Sequence, residues 1–304
     1  MKKILIFEYI TGGGLIGKDF DSNLFNEAKI IINSLVHNNN FNISFFCDYR
    51  SSLSSSSTAI LINEHNKSFI NNVKFINSFD YFLPICPESD LVLYEYVEQL
   101  YKKVPNMIIS DPETIRLTSD KKEFYSYCSN HNIPNPNNYI KKIKDRKFIM
   151  KDRFGCGCNN VKIINKKISY DENKMILNTY IQGESYSVSL FVRKNGYLLI
   201  SINKHQIIVN NNQIKCESIK VNIHPSFEKN LYEFTDIVLD AFPNLLGYVG
   251  FDVIVDNYQI YLIEINARFT TSMTQVANSF DIHPIDYLFN NVINKTGRVS
   301  KINL

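Results

Sequence analysis

The sequence lacks both a long apolar run and a strong excess of one charge. No stretch of its 304 residues approaches the about 20 apolar residues that span a membrane, so a membrane protein is not expected. The net charge is only +3 and the lysines are scattered, which argues against nucleic acid or an anionic membrane as a partner. The first apolar run, in MKKILIFEYITGGG, is too short for a signal peptide and is typical of a β-strand. We therefore predict a cytoplasmic protein.

Several common motifs are also missing. The sequence has no GxxxxGK[ST] phosphate loop, and the glycines after the first strand do not have the GxGxxG spacing of a dinucleotide site. No second Cys/His pair at zinc spacing accompanies Cys156 and Cys158, so these two residues alone are weak candidates for holding a soft metal. The chain is too long for a disulfide-based fold to be expected, and we predict reduced thiols. The cysteines are Cys47, Cys86, Cys128, Cys156, Cys158 and Cys216.

The first 110 residues show the pattern of an open α/β domain. Residues 3–9 are typical of a buried strand, residues 24–36 keep the apolar spacing of a helix, and residues 41–46 form a second predicted strand. This β-α-β order predicts a parallel sheet with helices on its faces. The segment NMIIS at 106–110 is predicted as the last strand, and Asp111-Pro112 ends the domain.

Glu8 lies at the carboxyl end of the first predicted strand. Open α/β sheets bind ligands at this edge, so Glu8 is a candidate contact for a substrate amine. The alternative is an ordinary turn with a solvated glutamate.

The stretch from Gly247 to Ser272 is predicted to form a hairpin with polar residues on one face. Asp252 on its first strand would meet Glu264 and Asn266 on its second, because residues two apart on a strand share a face. Carboxylate and amide oxygens suit a hard divalent cation, and Arg268 on the same side suggests an anionic ligand. The alternative is a surface hairpin with solvated polar residues. The apolar residues expected to alternate with this set are Val249, Phe251, Val253, Val255, Tyr261, Ile263 and Ile265.

Two other segments are suited to binding a nucleotide. Lys151 ends a predicted strand four residues before the loop Gly155-Cys156-Gly157-Cys158, where free backbone N–H groups could cover phosphates; a plain hairpin is the alternative. Further on, the strand end Asn178 to Ile181 could offer backbone groups to a purine, and Glu184 could bind ribose hydroxyls.

Together, these motifs resemble the ATP-grasp superfamily of carboxylate–amine ligases over residues 111–285. The resemblance implies that Lys121, Lys151, Gly155 and Gly157 contact ATP phosphates, that Asn178, Thr179, Tyr180 and Ile181 form the adenine hinge, and that Glu184 binds ribose. It further implies that Asp252, Glu264 and Asn266 hold Mg²⁺ or Mn²⁺, and that Arg268 and Lys151 act in catalysis. Ala267 stands where many members have proline, and Asn178-Thr179 replaces a common Gln-Glu, which puts side-chain recognition of adenine in doubt.

The same resemblance implies an α/β protein with an open parallel N-terminal domain followed by an ATP-grasp fold of two α+β subdomains. We predict the divisions 1–110, 111–182 with the glycine loop, and 183–304 with the metal site. The partners would be a small carboxylate and a small amine, and a homodimer is a possible assembly.

The strings FEYITGGG and EINARFTTS resemble a branch of the superfamily that joins glutamate to tyramine. Glu8, Thr270, Thr271 and Ser272 would then be substrate contacts. Two alternatives stay open at this point: a small-molecule kinase on the same scaffold, and a nucleotide-binding regulatory module without catalysis.

Overall fold

The computed structural model describes residues 1–19, 22–36, 41–56, 58–139, 147–157, 160–289 and 297–303, and its strands form one parallel and one antiparallel sheet. The strands are β1 Lys3–Glu8, β2 Asn42–Asp48, β3 Ala59–Ile62, β4 Tyr81–Ile85, β5 Phe148–Asp152, β6 Lys162–Ile164, β7 Met175–Thr179, β8 Glu184–Arg193, β9 Gly196–Asn210, β10 Gln213–Val221, β11 Gly247–Asp256, β12 Gln259–Asn266 and β13 Ser300–Asn303. The helices are α1 Ser22–Val36, α2 Val73–Ile76, α3 Val92–Leu100, α4 Pro112–Ser119, α5 Lys121–Asn130, α6 Glu228–Ala241 and α7 Val276–Phe280, with 3₁₀ turns at Ser52–Ser55, Lys67–Asn71, Ser89–Leu91, Thr271–Gln275 and Pro284–Leu288.

The N-terminal sheet is parallel throughout, with the order β3-β2-β1-β4. Ile4 to Phe7 of β1 are fully buried because helices cover both faces of this sheet. Ile4 and Ile6 pack with Ile32 of α1, whereas Leu5 and Phe7 belong to the same core as Val97 of α3. The predicted open parallel domain is confirmed.

The second sheet is antiparallel and runs in the order β12-β11-β8-β9-β10-β6-β5-β7, with β13 paired to β10. One end of the sheet is formed by the hairpin β11–β12. At the other end β7 is the edge strand, and β5, which precedes the glycine loop, lies next to it. Helix α6 packs on one face through Leu231, Phe234 and Val238. This architecture confirms the predicted fold class.

The start of α5 is fixed by local hydrogen bonds. The carboxylate of Asp120 caps the helix by accepting from the amide of Lys122 at 3.0 Å, and it also accepts from Arg153 Nε at 2.7 Å. Lys121 and Tyr125 are four residues apart and therefore share one face of the helix. Both side chains are buried, and both belong to the candidate site described below.

Several local predictions need correction. The predicted strand at 106–110 makes only a single bridge, between Met107 and Phe82, because the chain then turns and the hydroxyl of Ser110 binds the backbone of Leu246. Asp111 and Pro112 begin a helix, since the Asp111 carboxylate accepts from the amide of Thr114 at 3.1 Å. Strands β3 and β13 and helix α4 were missed. The division of the chain into 1–110, 111–182 and 183–304 stays a prediction.

None of the helices within the described ranges is long and apolar enough to cross a membrane.

Candidate active site

The predicted hairpin forms and brings its polar residues together. Its turn has Asn257 and Tyr258 at φ 48° and 66°, the left-handed conformation that suits a tight hairpin. Asp252 lies directly opposite Glu264, and Asn266 lies opposite Gly250. The amide Nδ2 of Asn266 donates to Asp252 Oδ2 at 3.3 Å. The three predicted metal ligands therefore share one face of the sheet.

A β-bulge at Ile263 sets this arrangement. Asp252 pairs with Glu264, but the next residue, Val253, pairs with Leu262, so Ile263 is the extra residue. Leu262 and Ile265 are fully buried in the main core, whereas Ile263 packs beside a separate apolar cluster. The expectation that Ile263 and Ile265 alternate on one face is therefore wrong, because the bulge shifts the strand by one residue.

The electrostatics of the hairpin fit a divalent cation. Burial raises the pKa of Asp252 to about 7, and the nearby Glu264 carboxylate adds to this rise. In this structure the Glu264 carboxylate forms an ion pair with the ammonium group of Lys121, whose Nζ lies 3.6 Å from Glu264 Oε2. Among the described residues no group of three or more His, Cys, Asp or Glu could hold a metal, so a third protein ligand would be the amide of Asn266. Two carboxylates and an amide oxygen are a donor set suited to Mg²⁺ or Mn²⁺.

Two buried lysines approach this site from other elements. Lys121 Nζ also donates to the carbonyl of Gly155 in the glycine loop. Lys151 Nζ donates to the hydroxyl of Tyr125 at 2.8 Å, and that hydroxyl donates to the carbonyl of Ile263 at 2.7 Å. Tyr125 thus connects Lys151, which is predicted to bind phosphate, to the bulge at Ile263 beside the predicted metal ligands.

The glycine loop lies against the N-terminal domain. Cys156 Sγ is 3.0 Å from Ser89 Oγ, and the amide of Asp90 donates to the carbonyl of Phe154 at 3.1 Å. Gly157 has φ 65°, a conformation that favours glycine. Burial raises the pKa of the Cys156 thiol, which makes it a poor nucleophile. Cys158 lies outside the described residues.

The predicted adenine hinge connects β7 to β8. Asn178 is buried, and its Nδ2 donates to Asn137 Oδ1 at 2.8 Å, while its Oδ1 has no hydrogen-bond partner among the described residues. Thr179 ends β7, the amide of Tyr180 donates to the carbonyl of Lys147, and Ile181 is buried. The hinge role of these four residues stays a prediction.

Next to the hinge, an apolar cluster joins Tyr139, Ile181 and Tyr261, with Ile254 and Ile263 packed against it. The motifs did not identify this cluster. A Cβ on Gly183 would lie 2.4 Å from the carbonyl oxygen of Val255, so the turn approaches β11 too closely for a side chain.

Glu184, the predicted ribose ligand, is exposed at the start of β8. Its carboxylate forms an ion pair with Lys204 and accepts a hydrogen bond from the hydroxyl of Tyr186 at 2.5 Å. These partners lower its pKa, so the group is a carboxylate at neutral pH.

Arg268 follows β12 and reaches the N-terminal domain. Its Nε donates to Glu88 Oε2 at 2.7 Å, and its Nη1 donates to the carbonyl of Phe269 at 3.2 Å. Glu88 is 3% exposed, and burial raises its pKa although Arg268 opposes this rise. Sequence analysis missed Glu88 because its partner lies 180 residues further along the chain.

The predicted substrate contacts already have partners within the protein. Glu8 Oε2 accepts from both the amide and the hydroxyl of Thr11 at 2.6 Å, and Glu8 Oε1 accepts from the amide of Ile10 at 3.2 Å. Burial raises the pKa of Glu8. Its contact with a substrate ammonium stays a prediction.

The hydroxyls of Thr270 and Ser272, which follow Arg268, form a row of contacts that reaches β8 of the second sheet. Thr270 Oγ1 is 3.1 Å from Ser272 Oγ, which is 3.0 Å from Ser189 Oγ on β8. Asn203 on β9 donates to Ser189 Oγ at 3.1 Å and extends this polar row. Thr271 instead binds Glu27 of α1.

Residues 118–272 match the family model of the ATP-grasp domain, so the chain belongs to the ATP-grasp family. The resemblance drawn from the sequence is therefore confirmed, as is the prediction of an enzyme of this family. Its curated relatives are named as ligases.

One relative is the tyramine–L-glutamate ligase of Methanocaldococcus fervens. It is 29% identical over 280 residues, which cover 89% of this chain and 88% of that protein. Among solved structures, an ATP-grasp superfamily protein from Archaeoglobus fulgidus superposes with a TM-score of 0.76 at 23% identity, covering 100% of both chains. The L-amino acid ligase of Bacillus licheniformis gives a TM-score of 0.65 at 12% identity, covering 95% of this chain and 74% of that one. These two structures share the fold.

Proposed function

We propose that this protein is an ATP- and Mg²⁺-dependent ligase that joins the side-chain carboxylate of glutamate to tyramine through an acyl phosphate, with release of ADP and phosphate. The class of reaction follows from the family and from its ligase relatives. The choice of glutamate and tyramine is supported by the relative that covers most of the chain. The observation that carries the proposal is the ion pair between Lys121 and Glu264, next to Asp252, which pairs with Glu264 across the hairpin.

Activation of a carboxylate by ATP needs positioning and charge neutralisation more than covalent help from the protein. Lys121 and Lys151 would bind the phosphates, and Arg268 would bind the transferred phosphoryl group. Asp252, Glu264 and Asn266 would hold Mg²⁺, which supplies charge neutralisation at the phosphate oxygens. The glycine loop would exclude water that would otherwise hydrolyse the acyl phosphate.

The remaining site residues would bind the nucleoside and the amino acid. Asn178 to Ile181 would contact adenine, and Glu184 would contact ribose. Glu8 would meet the α-ammonium of glutamate, and Thr270 and Ser272 would supply hydroxyls. Glu8 ends β1, Thr179 ends β7 and Glu184 begins β8, and strand ends of this kind support the assignments.

The test is incubation of the enzyme with ATP, Mg²⁺, tyramine and glutamate labelled with ¹⁸O in its side-chain carboxylate. We expect γ-glutamyltyramine by mass spectrometry and one labelled oxygen in the released phosphate. A phosphorylated product without amide would indicate a kinase, and ATP binding without ADP formation would indicate a binding module. Asp252→Asn should abolish the amide, whereas Asp240→Asn, at an exposed position on α6, should leave it unchanged.

A further inference from the structure

Among the residues that the structure describes, none donates a hydrogen bond to one buried carboxylate oxygen of Glu88. Its Oε2 accepts from Arg268 Nε, but its Oε1 is sealed from solvent and has no partner among the described residues. Buried acceptors of this kind are costly and are uncommon in native proteins. A donor that is absent from the protein itself would satisfy the Oε1 atom.

The position of Glu88 is that of a ligand-binding residue. It lies just beyond the carboxyl end of β4 in the parallel sheet, the edge at which open α/β sheets bind ligands. The glycine loop covers this corner, because Cys156 contacts Ser89 and Phe154 accepts from the amide of Asp90.

The charges around Glu88 favour a nitrogen donor. Arg268 contacts one carboxylate oxygen, and the Glu264 carboxylate adds negative charge near this corner. Glu8, from the neighbouring strand, already accepts three hydrogen bonds from its own turn. Glu88 thus offers a buried carboxylate oxygen, without a partner among the described residues, next to the arginine expected to hold the acyl phosphate.

We propose that Glu88 Oε1 binds the nitrogen of the amine substrate, a primary ammonium or its N–H donor, beside the acyl group held at Arg268. This inference rests on the proposed ligase function and adds the residue that receives the second substrate. Glu8 would serve the α-ammonium of the acid, and Glu88 would serve the attacking amine.

The test compares two nucleophiles in wild type and in Glu88→Gln. Glutamine retains an acceptor for Arg268 Nε but removes the negative charge. Tyramine is an ammonium at mildly alkaline pH, whereas hydroxylamine is small and uncharged and traps the acyl phosphate as a hydroxamate. Product formation by the wild type with each nucleophile tests the proposed function. The change that Glu88→Gln causes in the KM for tyramine, compared with its effect on hydroxamate formation, tests the role of Glu88 in binding the amine. Glu98→Gln, at an exposed position on α3, is the matched control.

We expect Glu88→Gln to raise the KM for tyramine by about 10- to 100-fold while hydroxamate formation stays within about threefold of wild type. Retained hydroxamate formation would also show that the variant folds and activates the acid. An unchanged KM for tyramine would overturn the proposal. An equal loss with both nucleophiles would also overturn it, since Glu88 would then act only by positioning Arg268.

Discussion

The hydroxyl of Tyr125 joins two parts of the site that come from distant segments, and its removal is a direct test of the site. It accepts from Lys151 Nζ at 2.8 Å and donates to the carbonyl of Ile263 at 2.7 Å. The side chain is 1% exposed, so water cannot easily replace either bond. Tyr125→Phe removes both bonds while keeping the ring.

The expected magnitude follows from these two bonds. Leaving the buried carbonyl of Ile263 without its donor costs about 1–3 kcal/mol, and a hydrogen bond to a charged group such as Lys151 contributes about 1.5–3 kcal/mol. Part of the second contribution is recovered when the ammonium of Lys151 finds another acceptor. We expect the free energy of unfolding to fall by about 2–4 kcal/mol. Lys151 also loses its fixed position, so ATP binding should weaken by about tenfold.

Urea unfolding and calorimetric titration with ATP would measure the two effects. Tyr127→Phe is the matched control, because Tyr127 lies on the same helix and its hydroxyl donates to the carbonyl of Ala241 at 2.7 Å. It should lose about 1 kcal/mol of stability and keep wild-type ATP affinity. A double-mutant cycle of Tyr125→Phe with Lys151→Ala should show coupling in ATP affinity. Wild-type ATP affinity in Tyr125→Phe, or additive effects in the cycle, would refute the reasoning.

Two further predictions concern the metal ligands and acid stability. Glu264→Gln should lower the ligase rate by more than about 100-fold because a charged ligand of the metal is lost, while the melting temperature in scanning calorimetry changes little; near-normal rates would contradict the metal assignment. Burial lowers the pKa of His205 from 6.5 to about 4, so the unfolded chain binds the proton first and stability falls as the pH drops from about 6.5 to 4, by up to about 3 kcal/mol. His205→Gln should flatten this fall in urea titrations at several pH values, and an unchanged slope would show that other groups cause it.

The parts of the fold that could be predicted rest on local patterns. The hairpin β11–β12 follows from apolar alternation around a turn, and Glu264 and Asn266 share a face because they are two residues apart. The parallel sheet follows from a buried strand, an amphipathic helix and a second strand.

The parts that were missed depend on contacts between distant segments. The bulge at Ile263 leaves no mark in the apolar alternation, because isoleucine fits either face of the strand, and its carbonyl is held by Tyr125, 138 residues earlier. Glu88 stands in a short turn whose sequence does not reveal a partner. The segment 106–110 has strand-like composition but only one bridge, since pairing depends on a neighbour that the sequence does not identify.

The N-terminal domain thus contributes residues to the candidate active site, because Glu88 binds Arg268 and Ser89 contacts the glycine loop. An arginine that binds a transferred phosphoryl group must be oriented before the reaction, because a long flexible side chain loses entropy when it is fixed. Glu88 holds Arg268 Nε and the Phe269 carbonyl holds Nη1, while Nη2 has no partner among the described residues. The guanidinium is therefore held on one side and available on the other. Because the loop that would cover the phosphates touches Ser89, next to Glu88, the same short turn contacts both the arginine and the loop.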